Sequence, residues 1–369
     1  MGTRVFLTAG TPESFPPLAC TNPLGVSVPI VGVPIAGIFV DPKLQTPYVQ
    51  QYSIGIQGKF AKNYVFDISY VGNRGTHLLQ VITLNQPVYN PATNTFTPRL
   101  APANILSANK NVTGGMQQVQ TTSLSSYNSL QMSLSSRFKN GLQFLAAYTA
   151  GRSIDYYSGS AVNELTNMPG DQFNWRLNRG PSDFNRKHRF VVSGVYDLPN
   201  LVAKSNPAKW LLNDWQVAGI AVFQSGLPFS IIDSNGTSII QRANFNPAFA
   251  GGQFTGSGKV SKRLNQYFNT SAFVTSRFGT ATFDPNNPFG NTPRNPLFGP
   301  GQKNLDISFI KFLPFGERIK GEFRAEFFNV FNWVNYANPG NLIGTPTFGR
   351  ITSASTGPRV IQFAFKLGF

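Results

Sequence analysis

Cysteine is almost missing from this chain: Cys20 is the single one among 369 residues. That excludes an intramolecular disulfide and a multi-cysteine metal site. Histidine is nearly as scarce, and His77 and His188 alone make a poor basis for a metal centre. No apolar run reaches the ~18 residues that suggest a membrane-spanning helix. Mean hydropathy is −0.13, which also argues against an α-helical membrane protein. No long stretch repeats its apolar residues every 3.6 positions, so helical signals are nearly absent. Charged residues make up only 12% of the chain, and just 15 of them are acidic. The patterns G-x-S-x-G and H-E-x-x-H, a phosphate-binding loop and an EF-hand loop are all missing. Nothing in the sequence points to an enzyme, a metal or a cofactor.

Against these absences stand 33 Phe, 12 Tyr, 35 Gly and 27 Pro, a mixture that fits short strands joined by turn-rich loops. The carboxy-terminal residues show the pattern best. Ile361, Phe363, Phe365, Leu367 and Phe369 fall on one side of an extended strand, and Gln362, Ala364, Lys366 and Gly368 on the other. A strand crossing an outer membrane needs roughly 9–11 residues, apolar toward lipid and small or polar toward the lumen. A half-buried strand of a soluble sandwich alternates in the same way, so the rest of the chain has to decide.

Alternation predicts nine strands, near 48–60, 62–73, 128–138, 142–152, 189–198, 215–225, 303–313, 318–332 and 360–369. The connections between them alternate strictly. Short ones fall at 61, 139–141, 199–214 and 314–317; long ones fall at 74–127, 153–188, 226–302 and 333–359. Outer-membrane barrels have short periplasmic turns and long extracellular loops, whereas a sandwich has no reason to sort loop length by parity. The expected fold is therefore all-β, an antiparallel transmembrane β-barrel portion with Phe369 at the periplasmic rim. In the eighth strand Lys320, Glu322, Arg324 and Glu326 share one face with alternating sign, and a watery lumen solvates and pairs them. Tyr148, Trp215 and Trp333 suit interfacial girdles.

The net charge of +16 raises nucleic-acid binding. The basic residues are scattered through loops and strand ends, however, with no basic helix and no recognisable module. Cationic loops facing lipopolysaccharide and outer-membrane lipid, or an anionic substrate, explain the charge equally. The first eight residues lack the apolar core and cleavage site of a secretory signal. An exported chain would then have its true beginning elsewhere.

Phe323-Arg324-Ala325-Glu326-Phe327-Phe328-Asn329-Val330-Phe331-Asn332 resembles the penultimate-strand motif of TonB-dependent receptors, especially the Oar-like group. Asn291-Thr292-Pro293-Arg294-Asn295, Gly299-Pro300-Gly301, Asn304-Leu305-Asp306-Ile307-Ser308, Asp183-Phe184-Asn185-Arg186-Lys187-His188-Arg189-Phe190 and Trp215-Gln216-Val217-Ala218-Gly219 resemble it too. The resemblance covers about 45–369 and implies a 22-stranded barrel with an amino-terminal plug, energised through a TonB box. No plug or TonB box is readable here, and nine strands fall short of that plan. The expectation is the carboxy-terminal part of a longer receptor: residues 1–47 the tail of an extracellular loop or an irregular lead-in, and 48–369 barrel. TonB would then act only through the missing plug. The resemblance also makes Phe363, Phe365, Leu367 and Phe369 the signal read by the barrel-assembly machinery.

The long loops mix aromatic and basic residues, and loops on a rigid scaffold are where recognition sits. Phe173, Trp175, Arg176, Arg179, Arg186 and His188 are the candidate contacts to an unknown extracellular ligand. Asp155, Asp171 and Asp183 share the same loop but read as solvated carboxylates. Self-packing loops that cap the barrel mouth are the plainer expectation. Three functions follow: a TonB-dependent transporter, a non-transporting surface or adhesion barrel, and a secreted soluble β-protein that binds polysaccharide.

Overall fold

Nine runs of alternating residues become nine paired strands in the computed structural model. They are β1 (Tyr48–Phe60), β2 (Tyr64–Thr83), β3 (Met116–Lys139), β4 (Leu142–Asp155), β5 (His188–Asp197), β6 (Trp215–Gln224), β7 (Gln302–Pro314), β8 (Lys320–Phe328) and β9 (Val360–Gly368). Each pairs antiparallel with the next, in chain order, within one sheet. The structure describes residues 19–21, 27–29, 37–61, 63–84, 86–97, 99, 116–139, 141–159, 170–202, 207–234, 240–251, 255–315 and 319–369. The lead-in expected over 1–47 lies mostly outside them; within it, Gly37–Val40 pairs parallel with the start of β3.

Register decides the faces. A single rung links Tyr64, Ser136, Phe144, Gly194, Gly219, Ile307, Phe327 and Ile361 across β2 to β9. In-phase pairing puts Ile54, Ile68, Met132, Ala146, Val192, Ala221, Leu305, Ala325 and Phe363 on the same side as that rung. Gln57, Asp67, Ser133, Arg189, Gln224, Asp306, Glu326 and Gln362 lie on the other. A slip of one residue anywhere would exchange the two sets.

The same rung shows the tilt. It starts at the first residue of β2, beside a short connection, and ends at the second residue of β9, beside a long one. Rungs therefore climb steadily toward the long-loop side, as they must when strands lean together around a barrel wall.

Among the described residues nothing covers the apolar face. Ile54 is 73% exposed, Phe363 66% and Phe365 58%. A soluble sandwich would bury these side chains under a second sheet, so that expectation, and the soluble polysaccharide-binding protein with it, is set aside. The polar face curls around a hollow lined by Ser135, Gln143, Ser193, Ala218, Asp306 and Ser308. Among the described residues no helix is long and apolar enough to cross a membrane.

Aromatics ring both ends of the apolar face. At the short-connection end Trp215 lies beside its rung partner Lys311, whose ammonium bends past the strand end to the carbonyl of Asn213. This is the snorkelling expected of a long cation at a membrane edge. At the other end Tyr52 and Tyr70 both donate to Asn128 Oδ1, at 2.8 and 2.7 Å. Tyr148 Oη lies 2.8 Å from His188 Nδ1, and Trp333 packs on Phe223 with centroids 6.0 Å apart.

Three strands differ most from expectation. The β2–β3 hairpin runs past 62–73 and 128–138 because it continues above the other strands. Bulges between Gly75 and Leu78 and between Leu78 and Gln80, with His77 at φ 53°, break the two-residue period there. Gln80, Val81, Ile82 and Thr83 beyond them are buried under loops rather than facing lipid. Strand β8 stops at Phe328, short of 332. Asn329 and Asn332 take positive φ, and the Asn329 side chain bonds both the N–H and the carbonyl of Trp333 at 2.9 Å.

Adjacent alanines on a central strand test the two faces. Ala146 pairs with Leu134 and Val192 on the apolar side, and Ala147 with Ser133 and Val191 on the polar side. In lipid vesicles Ala146→Arg should lose about 2–4 kcal/mol relative to Ala147→Arg, because only the first puts a charge at mid-depth in hydrocarbon. Unfolding by urea, followed by tryptophan fluorescence, measures the difference.

Candidate functional site

The hydrophobic core lies in the long connections, not in the sheet. Phe229, Ile231, Ala243, Tyr267, Phe268, Phe273 and Leu297, from 225–301, close around Ile351 from 329–359. Phe268 anchors it, with ring centroids 5.9 Å from Phe229, 5.8 Å from Phe273 and 5.3 Å from Phe348. A second cluster joins Tyr89 and Phe96 to Phe278 and Phe283 by edge-to-face contacts. Together these loops make a folded cap over the long-loop end of the sheet.

A buried polar latch ties the cap to the strands. Arg294 donates to Asp155 at the end of β4, to Ser158 Oγ at 2.6 Å and to Asp183 Oδ1 at 2.9 Å. Asn295 Nδ2 donates to the same Asp183 oxygen at 2.6 Å and to the Pro181 carbonyl at 2.7 Å. Gly180 fits here because a Cβ would collide with the Arg294 carbonyl.

Arg242, only 1% exposed, donates to the Leu177 carbonyl and to Asn178 Oδ1, both at 2.9 Å. Burial, with the neighbouring Arg294 charge, pushes its pKa down to about 10, and Asp171 opposes that shift. It remains a cation at neutral pH, held by neutral acceptors. Gln172 and Gln86 cross-link two more loops: Gln172 accepts from Thr83 N at 2.5 Å, and Gln86 accepts from Gln172 N at 2.9 Å.

The six candidate contacts do not converge on one point. Phe173 lies under the Arg99 guanidinium, 3.7 Å from its ring centre. Trp175 begins a short helical turn, Trp175–Asn178, and Arg176 and Arg179 are exposed on and beside it. Arg186 donates to the Ser225 carbonyl at 2.5 Å and Gln302 Oε1 at 3.2 Å, so it joins the ends of β6 and β7. Burial, then Arg189, holds its pKa below the usual arginine value. His188 faces the opposite way, beside Tyr148 on the apolar side.

Asp155, read from sequence as solvated, is instead buried against Arg294; Asp183 is solvated as expected, at 65% exposure, and also pairs with Arg294. The signal that could have found the latch was present in the two receptor-like motifs carrying Asp183 and Arg294–Asn295. Arg242 and Gln172 carried none.

On β8, Lys320, Glu322, Arg324 and Glu326 occupy the polar face, with Arg324 and Glu322 in direct ion contact. Glu322 is paired across the strands with Lys366, and Arg324 with Ala364. Phe363 and Phe365 stand on the apolar side opposite Ala325 and Phe323.

Removing one partner of a buried, hydrogen-bonded ion pair costs about 3–5 kcal/mol. Arg294→Ala should therefore free the 156–187 connection from the cap while leaving the strands paired. Limited proteolysis should cut that connection at least ten times faster than in the parent chain, with β-sheet circular dichroism unchanged.

Three comparisons with known proteins bear on this geometry. No curated protein matches the chain. Among solved structures, the outer membrane transporter YddB from Escherichia coli is similar at 11% identity and TM-score 0.47, over 91% of this chain and 34% of that one. Pseudomonas aeruginosa FpvA bound to heterologous pyoverdines is similar at 12% and TM-score 0.42, over 88% and 27%. The FrpB iron transporter from Neisseria meningitidis is similar at 11% and TM-score 0.42, over 89% and 32%. The chain thus spans about a third of the length of these proteins. The model of the outer membrane beta barrel domain matches residues 3–362. The chain belongs to that outer membrane beta-barrel family, and its place is the bacterial outer membrane.

Proposed function

We propose that this chain is the barrel part of an Oar-like TonB-dependent receptor, which captures a ligand with its extracellular loops and passes it through the lumen. One observation carries the reading. A folded cap stands over the long-loop end of a wall whose inner face is polar and whose outer face is bare of protein. In this reading Phe173, Trp175, Arg176 and Arg179 present the ligand-facing loop, and Arg186 holds that loop on β6 and β7. The lumen lining includes Lys320, Glu322, Arg324 and Glu326. Passage would depend on TonB acting through a plug.

Both edges of the sheet, β1 and β9, lack a partner among the described residues. Unpaired backbone groups in hydrocarbon cost several kcal/mol each, so further strands complete the wall in this reading.

A specific observation favours a second reading, a surface barrel that displays its loops. The cap is pinned by Arg242, Arg294, Gln86 and Gln172, as a rigid display layer would be.

Uptake in cells carrying the intact gene separates the two. Labelled siderophore, glycan and peptide pools are offered with and without functional TonB. Transport predicts accumulation of one pool that falls at least tenfold without TonB and also falls in Arg176→Ala/Arg179→Ala at equal protein abundance. Surface binding without TonB-dependent accumulation would support display instead.

A further inference from the structure

Three cations, Arg74, Arg152 and Lys303, break the apolar face near its outer end, and all are exposed. They stand on different strands and different rungs. Arg74 on β2 shares its rung with Ser126 and Ile154, two residues beyond Arg152 on β4. Lys303 on β7 shares its rung with Phe223, Phe190 and Tyr148, four residues short of Arg152. Sequence alone gives no reason to group them.

The tilt groups them. With strands ~4.8 Å apart and leaning about 40°, a rung climbs about 3 Å per strand, close to the rise of one residue along a strand. Arg74, two strands before β4, drops by about two residues; Lys303, three strands after, climbs by about three. All three therefore reach one level within about 3 Å. Leu142, at the inner end of β4, lies about 25 Å below Arg152 on the same arithmetic, the usual height of the apolar band. Tyr52, Tyr70 and Tyr148 make a level belt about 10 Å below the cations. The three charges thus sit where hydrocarbon gives way to headgroups.

No described residue makes an ion pair with them. Among the described residues the ion pairs are those of Arg294 and Arg324. Lys303 Nζ lies 4.5 Å above the Trp333 ring, inside an open cleft that Lys259 also lines from the overhanging loop, with Phe190 and Phe223 forming its lower wall. A cleft with cations above and aromatic rings below matches a molecule with phosphates above and acyl chains beneath.

We infer that Arg74, Arg152, Lys303 and Lys259 form a binding shelf for the phosphates of a phosphorylated glycolipid of lipid A type, whose acyl chains lie along the apolar face. The inference rests on the orientation of the barrel in the outer membrane, with the long loops outside. It does not depend on transport. A free phosphate lacks the chains that the aromatic wall would hold, so the lipid is the occupant.

The test uses the full chain folded in detergent micelles, with co-bound lipid counted by native mass spectrometry. Bisphosphorylated lipid A should bind the parent chain at least tenfold more tightly than its enzymatically dephosphorylated form. Arg152→Gln/Lys303→Gln should lose that preference. Lys59→Gln/Lys366→Gln removes the same charge from the polar face and should keep it. Equal binding of the two lipids by the parent chain would overturn the proposal without any variant needing to fold. So would equal loss in both double variants, which would show an unspecific charge effect. Displacement of the lipid by millimolar inorganic phosphate would mark a free-anion site and would also overturn it.

Discussion

Hydrocarbon offers no partner to a backbone N–H or carbonyl, and the rest of this structure follows from that constraint. Each strand has to be bonded along its length by its neighbours, which is why the nine strands pair in chain order with almost no bulges at membrane depth. Pairing in phase then gives every side chain a choice of two surroundings only. Register, rather than burial, does the sorting. Gly194 and Gly219 sit on the same rung as Phe144 and Ile307 without any protein packed above them. Register shifts occur at the two ends of the wall, between Ser136 and Lys139 beside the short turn and past Gly75 where β2 rises above the other strands, and there water or loop groups can satisfy the backbone.

A wall built in this way has no hydrophobic core of its own, since its apolar side belongs to lipid. Cooperative packing moves to the loops. The cap has the attributes of a small globular domain: Phe268 at 1% exposure, edge-to-face rings and buried polar groups held by several partners each. Its attachment is electrostatic. Arg294 spans from the cap to the top of β4 and to Asp183, so the position of the 156–187 connection is set by a few charged hydrogen bonds. Such a latch can be released by changing one side chain, which a hydrophobic interface of similar extent could not.

The strands were legible because their two-residue period is enforced by lipid on one side and water on the other. β1 was readable to its last residue, and β7 to within one at each end. Legibility failed where that two-sided pressure stops. The upper parts of β2 and β3 are strands without a lipid face, so Gln80 to Thr83 and Met116 to Tyr127 carried no alternation to read. The latch was half legible: the stretches containing Asp183 and Arg294 stood out as receptor-like, but their meeting spans over a hundred residues of chain. Arg242 was invisible, because a lone loop arginine looks the same whether solvated or buried. The six loop candidates share residue type but not place: the fold uses Arg186 and His188 at strand ends rather than on the exposed turn of Arg176 and Arg179.

Strand direction constrains what completes the wall. β1 and β9 both begin at the long-loop side and end at the short-connection side, so they run the same way through the membrane. Direct closure of one upon the other would be a parallel pair in an otherwise antiparallel sheet. Edge pairing with a second copy inserted in the same orientation meets the same objection, since every edge of every copy points the same way. An all-antiparallel wall requires partners running from inside to outside at both edges, and therefore an odd number of further strands between β9 and β1. The 22-stranded plan that the receptor resemblance implies leaves thirteen, which is odd. Any even-stranded antiparallel barrel meets this condition, so strand direction fixes the parity of the completing strands and not their number.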